Sequence, residues 1–143
     1  CVGVSTLGAL AYNLLPLCSG CDDVICPVMD ARRSQVYNAV WRGGKRLCAD
    51  RLITLDTLGQ ELSELPENVK IHFCGDGARL AMSKIELPNI SETPDNLIWQ
   101  NGYSVARAAL DKYRAEGAMT GEQLAPIYLR ASQAERERTA GKN

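Results

Sequence analysis

The sequence contains very little histidine and phenylalanine, with one residue of each in 143. Because His72 stands alone, the two-histidine H-E-x-x-H motif of zinc proteases cannot be formed within this chain. The chain also lacks any apolar run close to the ~20 residues that span a bilayer, and it shows no signal-peptide pattern. We therefore expect a cytoplasmic protein that makes no contact with a membrane.

An excess of basic residues is also missing. The chain has 16 Lys and Arg against 17 Asp and Glu, for a net charge of −1, whereas a general nucleic-acid-binding surface usually shows a basic excess. This charge balance does not exclude a local basic patch. The hydrophobic fraction of 45% and the charged fraction of 23% are those of an ordinary globular chain, and this length fits one domain.

Six cysteines stand at positions 1, 18, 21, 26, 48 and 74. Cys18 and Cys21 form a C-x-x-C pair, but the chain has no second pair at zinc-finger spacing and one histidine. Three of the others lie in apolar runs, where a free thiol behaves as a small hydrophobe. We expect reduced, mostly buried cysteines rather than a metal site.

The first half of the chain predicts a leading helix followed by a meander of three strands. Ser5 is a candidate N-cap for a helix with an apolar stripe. An almost wholly apolar strand covers 24–30, although Pro27 removes a hydrogen-bond donor there. A second strand over 35–42 carries Tyr37, Ala39 and Trp41 on one face and Val36, Asn38 and Val40 on the other. Gly43-Gly44 is a hairpin signal that leads into a third strand over 46–55.

The second half alternates helices and strands. Asp56 or Thr57 is predicted to cap a helix with Leu58, Leu62 and Leu65, and strand 69–74 then turns through Gly75-Asp-Gly77 into a helix over 78–85. A short strand near Ile90 precedes a long helix over 97–116. An extended segment over 126–130 and a polar, frayed tail over 131–143 complete the chain. The predicted helix over 97–116 aligns the following residues on one face: Trp99, Tyr103, Ala106, Leu110 and Tyr113.

This element order predicts an α/β fold with a mixed sheet, a three-stranded antiparallel meander and helices on both faces. It is the order of the ribonuclease-H-like fold, which is also the repeated lobe of actin, Hsp70 and sugar kinases.

The corner between the first two strands is the first candidate site. Asp30 ends an apolar strand, and Arg32 and Arg33 follow on the turn. An acid beside guanidinium groups at the carboxyl end of a strand is a frequent position for chemistry or recognition. The residues alone favour an ion pair that holds the hairpin, because most exposed charge pairs are structural.

Two further interpretations concern the acids and the glycines. Asp30, Glu61 (or Glu64) and Asp76 occupy the topological points at which ribonuclease-H-like nucleases bind two cations, which makes a metal-dependent nuclease or hydrolase the alternative function. Gly75, Asp76 and Gly77 lie at a strand-to-helix turn, where glycines allow a nucleotide to approach the backbone. That signal is short, and an ordinary turn glycine is the better explanation of either residue.

Four segments together resemble the second half of the bacterial TsaB (YeaZ) family, a group once called glycoproteases. They are Val2-Gly-Val-Ser-Thr-Leu-Gly-Ala-Leu-Ala11, Met29-Asp-Ala-Arg-Arg-Ser-Gln-Val-Tyr37, Cys74-Gly-Asp-Gly-Ala78 and Pro126-Ile-Tyr-Leu-Arg130. The resemblance implies an actin/Hsp70-type lobe over 21–130 and a tail over 131–143. It also implies that 1–20 is the last strand and crossover helix of an N-terminal lobe, so that this chain is part of a longer protein.

The resemblance further implies a non-catalytic subunit in the synthesis of threonylcarbamoyladenosine on tRNA. Its partners would be a TsaD-like transferase and a TsaE-like ATPase, with tRNA contacted through the complex and a homodimer as another assembly. No catalytic residue, metal or resident cofactor is implied, and ATP or ADP would require the other lobe. The corner formed by Asp30, Arg32 and Arg33 then becomes an interaction surface.

Overall fold

A computed structural model describes residues 1–18 and 21–130. Within these residues the strands form one mixed sheet with β1 near its centre. The strands are β1 (Val24–Asp30), β2 (Gln35–Asn38), β3 (Trp41–Arg42), β4 (Lys45–Arg46), β5 (Arg51–Thr54), β6 (Ile71–Cys74) and β7 (Ile90–Ser91). The α-helices are α1 (Thr6–Ala11), α2 (Leu55–Ser63), α3 (Ala78–Lys84), α4 (Asp95–Ile98) and α5 (Gly102–Glu116), and a short 3-10 helix covers Gly121–Gln123.

The topology confirms the predicted fold class. β1 pairs antiparallel with β2 and β3 on one edge and parallel with β6 on the other. β2 and β3 pair in turn with β5 and β4, and β6 pairs parallel with β7. The result is an antiparallel meander followed by a parallel extension, which is the order of a ribonuclease-H-like lobe.

The predicted second and third strands are each interrupted, the second as β2 and β3 and the third as β4 and β5. The interruption of the second strand explains how a central strand tolerates Pro27. β2 pairs with β1 from Val28 onward, and β3 pairs with it at Val24 and Ile25. The ladder is open between these pairings, and there the buried Asn38 side chain donates a 3.1 Å hydrogen bond to the carbonyl of Pro27. The missing N–H therefore falls where strand pairing is already broken.

The two faces of the sheet carry separate cores, as the alternation over 35–42 predicts. Ala39 and Trp41 pack with α1 on one face. Val36 and Val40 pack with α2 and α3 on the opposite face. Helices therefore cover both faces.

One predicted helix cap is confirmed and another is changed. The side chain of Ser5 caps α1 as expected, accepting from the N–H of Gly8 at 3.0 Å. Thr54, rather than Asp56 or Thr57, caps α2, because its side chain accepts from the N–H of Thr57 at 3.1 Å. The helix therefore begins two or three residues earlier than predicted.

The predicted long helix over 97–116 is two helices, and α5 begins after Asn101, whose side chain accepts from the N–H of Ser104 at 2.9 Å. The buried residues of α5 are Ser104 and Ala108. Tyr103, Leu110 and Tyr113 of the predicted apolar stripe are exposed, so the stripe does not mark the packed face. Gly117 ends α5 with a φ of 83°.

The two ends of the described chain form no strand. Residues 1–5 lie outside the sheet, and Cys1 exchanges backbone hydrogen bonds with Met119, of 2.8 and 2.9 Å. The predicted extended segment over 126–130 is irregular. The predicted tail over 131–143 lies outside the described residues, and the division into lobes stays a prediction.

The cysteines are all free thiols. Cys18, Cys26 and Cys74 are buried, whereas Cys48 is half-buried and Cys1 and Cys21 are exposed, so half of them rather than most are buried. In the described residues no helix is long and apolar enough to cross a membrane.

Candidate functional site: the arginine corner

We use the term arginine corner for residues 30–35, which join β1 to β2. The Asp30 carboxylate organises the turn, because its Oδ1 accepts a 2.7 Å hydrogen bond from the N–H of Arg32. Its Oδ2 lies 3.4 Å from Nη1 of Arg32, whose side chain is 87% exposed. The predicted ion pair between Asp30 and an arginine of the turn is therefore present, with Arg32 as the partner. Its solvent exposure limits it to roughly 0–1 kcal/mol of stability.

The backbone of the arginine corner is unusual. Arg32, Arg33 and Ser34 have φ values of 65°, 56° and 57°, all in the left-handed region. A residue with a Cβ pays roughly 1–2 kcal/mol there, and glycine or asparagine is the common choice. The sequence Arg-Arg-Ser contains neither glycine nor asparagine, so the residue types did not predict this left-handed conformation.

Tertiary contacts hold the corner in this conformation. The N–H of Leu55 donates to the carbonyl of Ser34 at 3.0 Å. Nη1 of Arg130 donates to the carbonyl of Ala31 at 2.8 Å, so the Tyr-Leu-Arg ending reaches back to the corner. Residue chemistry alone did not assign that role to Arg130, although the resemblance included it as part of a motif.

Arg33 is the exposed cation at the tip. It makes no ion pair with any residue in 1–18 or 21–130, in contrast to Arg32. The turn therefore presents one guanidinium paired to a carboxylate and a second directed to solvent.

The predicted glycine turn lies directly against the arginine corner. The Asp76 Oδ1 accepts a 3.2 Å hydrogen bond from the N–H of Asp30. A Cβ on Gly75, whose φ is 99°, would lie 2.1 Å from the carbonyl oxygen of Val28. A Cβ on Gly77 would lie 3.1 Å from the nitrogen of Asp30. The structure therefore brings Asp30, Asp76 and both glycines together.

The close approach that these glycines permit is to β1 itself. The N–H of Gly75 donates to the carbonyl of Ile98 at 2.7 Å, and that of Gly77 donates to Val28 at 3.2 Å. Both donors already have partners inside the fold. The glycines thus have a structural use, and the nucleotide interpretation gains no support from them.

Glu61 belongs to a different group. Its Oε1 accepts from Nη1 of Arg51 at 3.0 Å, and Arg51 also donates to the side-chain oxygen of the buried Asn38 at 3.2 Å. Among the described residues, the carboxylates of Asp30, Glu61 and Asp76 do not converge on one point. The third acid of the nuclease alternative is therefore engaged in an ion pair that supports β2 and α2.

Solved structures share this fold. YeaZ from Pseudomonas aeruginosa matches with a TM-score of 0.62 at 17% identity, over 88% of this chain and 57% of that one. A crystal structure described as an uncharacterized protein with similarity to peptidase YeaZ from Pseudomonas aeruginosa matches with a TM-score of 0.61 at 15% identity, over 89% of this chain and 57% of that one. No protein-family model and no curated protein matches the sequence. The chain thus has a YeaZ-like fold and spans little more than half the length of these structures.

Proposed function

We propose that this chain is a lobe of a non-catalytic scaffold protein that acts in tRNA threonylcarbamoyladenosine synthesis, with the arginine corner as its contact surface. The observation that carries the proposal is the run of left-handed residues that presents Arg32 and Arg33 to solvent. The YeaZ-like fold and the four TsaB-like segments supply the cellular context.

The energetics favour a recognition role for the corner. Three left-handed residues with side chains cost roughly 3–6 kcal/mol together, and the exposed Asp30–Arg32 pair returns at most about 1 kcal/mol. Strain of this kind is characteristic of binding and switch regions. A guanidinium held outward is suited to charge-assisted hydrogen bonds with a carboxylate or a phosphate.

The partners follow from the resemblance. A TsaD-like subunit would carry the transferase chemistry, a TsaE-like subunit would supply ATPase activity, and tRNA would be reached through their complex. The arginine corner would contact an acidic patch of a partner or an RNA phosphate. Asp30, Asp76 and Glu61 then serve the fold rather than a reaction.

The test uses the full-length protein that contains this lobe. The double variant Arg32→Ala/Arg33→Ala is compared with wild type in a reconstituted assay of threonylcarbamoyladenosine formation and in complex assembly with the TsaD-like subunit. We expect a loss of roughly tenfold or more, because a charge-assisted hydrogen bond contributes about 1.5–3 kcal/mol. The matched control is Arg79→Ala/Arg114→Ala, which removes the same charge from two exposed helix positions.

A stability measurement separates binding from folding. Arg33→Gly removes the left-handed strain, so we expect unchanged or higher stability together with lost binding. Unchanged modification and assembly in the double alanine variant would mean that the corner is structural. Manganese binding that disappears in Asp30→Asn would instead favour the nuclease alternative.

A further inference from the structure

A group of metal-ligating side chains lies at the opposite end of β1 from the arginine corner. The sulfurs of Cys18 and Cys21 and a carboxylate oxygen of Asp23 all lie within 4.8 Å of one another. Cys18 is buried, Cys21 is exposed and Asp23 is half-buried. Thiolate and carboxylate donors in one place are a ligand set for zinc.

The fold fixes these donors from both sides of the loop. The N–H of Cys18 donates to the carbonyl of Leu14 at 3.1 Å, which ties the first ligand to the turns after α1. The backbone carbonyl of Asp23 accepts from the N–H of Gly43 at 3.3 Å. The carboxylate Oδ1 of Asp23 accepts from the N–H of Lys70 at 3.2 Å. The third ligand is thus oriented by the turn between β3 and β4 and by the residue that precedes β6.

His72 completes the arrangement from β6. Its Nε2 lies 3.3 Å from Oδ2 of Asp23, and its side chain is 17% exposed. Ligating carboxylates in metal sites are usually hydrogen-bonded by a neighbour that fixes their orientation. The single histidine of the chain occupies that position.

We propose that Cys18, Cys21 and Asp23 bind one divalent zinc-class cation, with His72 as a positioning residue for the Asp23 carboxylate. Zn–S bonds of about 2.3 Å and Zn–O bonds of about 2.0 Å place tetrahedral ligands roughly 3.5–3.8 Å apart. The donors, which lie within 4.8 Å of one another, therefore need to close by about 1.3 Å at most. The fourth coordination position would be filled by water, which can reach the cation from the side of the exposed Cys21.

The cation site is independent of the proposed function. Asp23 precedes β1 and Asp30 ends it, so the strand separates the two sites by roughly 20 Å at ~3.3 Å per residue. Either proposal can therefore fail without the other.

The experiment uses the reduced full chain. Zinc affinity and stoichiometry are measured by competition with a chromophoric chelator, and cobalt(II) is added separately as a spectroscopic probe. We expect one equivalent of metal, a thiolate-to-cobalt charge-transfer band and intense tetrahedral d–d bands. Cys21→Ser and Asp23→Asn should each weaken zinc binding at least tenfold, whereas Cys1→Ser, which removes another exposed thiol, should leave it unchanged.

The role of His72 needs its own readout. His72→Gln should weaken zinc binding by roughly 10- to 100-fold while the cobalt charge-transfer band is retained, because the sulfurs still bind. Circular dichroism confirms that each variant is folded. Absence of the charge-transfer band, binding that is indifferent to Cys21→Ser, or a Cys18–Cys21 disulfide that re-forms with no metal uptake would overturn the proposal.

Discussion

Replacing Gly75 by alanine should be the most damaging single methyl addition among the glycines that lie in residues 1–18 and 21–130. The residue has a φ of 99°, and its new Cβ would lie 2.1 Å from the carbonyl oxygen of Val28 and 3.0 Å from the carbonyl carbon. These atoms belong to the backbone of the central strand and cannot rotate away. Left-handed strain of about 1–2 kcal/mol and overpacking of about 1–3 kcal/mol add to a loss of roughly 2–5 kcal/mol in the free energy of unfolding.

Other glycines separate these two contributions. Gly44 has a φ of 78° but open space around its Cβ position, so Gly44→Ala should lose about 1–2 kcal/mol from strain alone. Gly102 has open space and no positive φ, so Gly102→Ala should be neutral or gain up to about 1 kcal/mol. Gly77→Ala meets backbone atoms at 3.1–3.2 Å and should fall between Gly102→Ala and Gly75→Ala.

Urea unfolding followed by circular dichroism measures the series, with tryptophan emission as a second probe because Trp41 is buried. Equal slopes among variants show that the midpoints report stability. If Gly75→Ala lost no more than Gly44→Ala, the close approach of the turn to β1 would be wrong. If Gly75→Ala failed to fold, the position of Gly77→Ala in the series would still decide the question.

Three other perturbations test separate parts of the structure. Asn13→Ala should lower the free energy of unfolding in urea by about 2–4 kcal/mol. The buried side-chain amide of Asn13 donates to the backbone carbonyls of Leu97 and Trp99 at 2.9 and 2.8 Å, and each buried polar group left without a partner costs about 1–3 kcal/mol. A loss below 1 kcal/mol would contradict this network. Burial raises the pKa of Cys26 from 9.0 to about 12, so above pH 9 the native thiol keeps its proton while the unfolded one loses it, and this residue should lower stability by about 1.4 kcal/mol at pH 10. Because burial also raises the pKa of Cys18 and Cys74, Cys26→Ala should reduce the alkaline slope by this amount without abolishing it, and an unchanged slope would count against the prediction. Glu61→Gln should lower the free energy of unfolding by no more than about 1 kcal/mol, because the Arg51–Glu61 ion pair is partly exposed. The same variant should leave a calorimetric manganese titration unchanged. A loss of manganese binding would support the nuclease alternative.

The sheet was largely predictable because its determinants are local. The apolar run 24–30 and the alternation over 35–42 specify the central strand and the two faces, and both appear as expected. Gly43-Gly44 forms the predicted hairpin, with φ values of 54° and 78°. Period-2 patterning is a direct consequence of burying one face of a strand.

The remainder depended on contacts that are distant in the chain. The stripe containing Tyr103 and Leu110 predicted the wrong packed face for α5. The helix docks through the small buried residues Ser104 and Ala108, and the Ser104 hydroxyl donates to the side-chain oxygen of Asn13. Asp30 and Asp76 were each predicted as site residues, but the hydrogen bond between them joins residues 46 positions apart. The left-handed run at Arg32 and Arg33 is imposed by Leu55 and Arg130, which no local pattern reveals.

The docking of α5 has a consequence for the dynamics of the molecule. Polar contacts attach this helix to the rest of the fold, including one from Nζ of Lys112 to the carbonyl of Gly3 at 2.8 Å and one from the Tyr12 hydroxyl to Asp111 at 3.1 Å. Segments with little buried apolar area open at lower free energy than the core. We therefore expect α5 to detach as a cooperative unit while the sheet stays intact, so that its amide protons exchange with solvent well before those of β1 and β6.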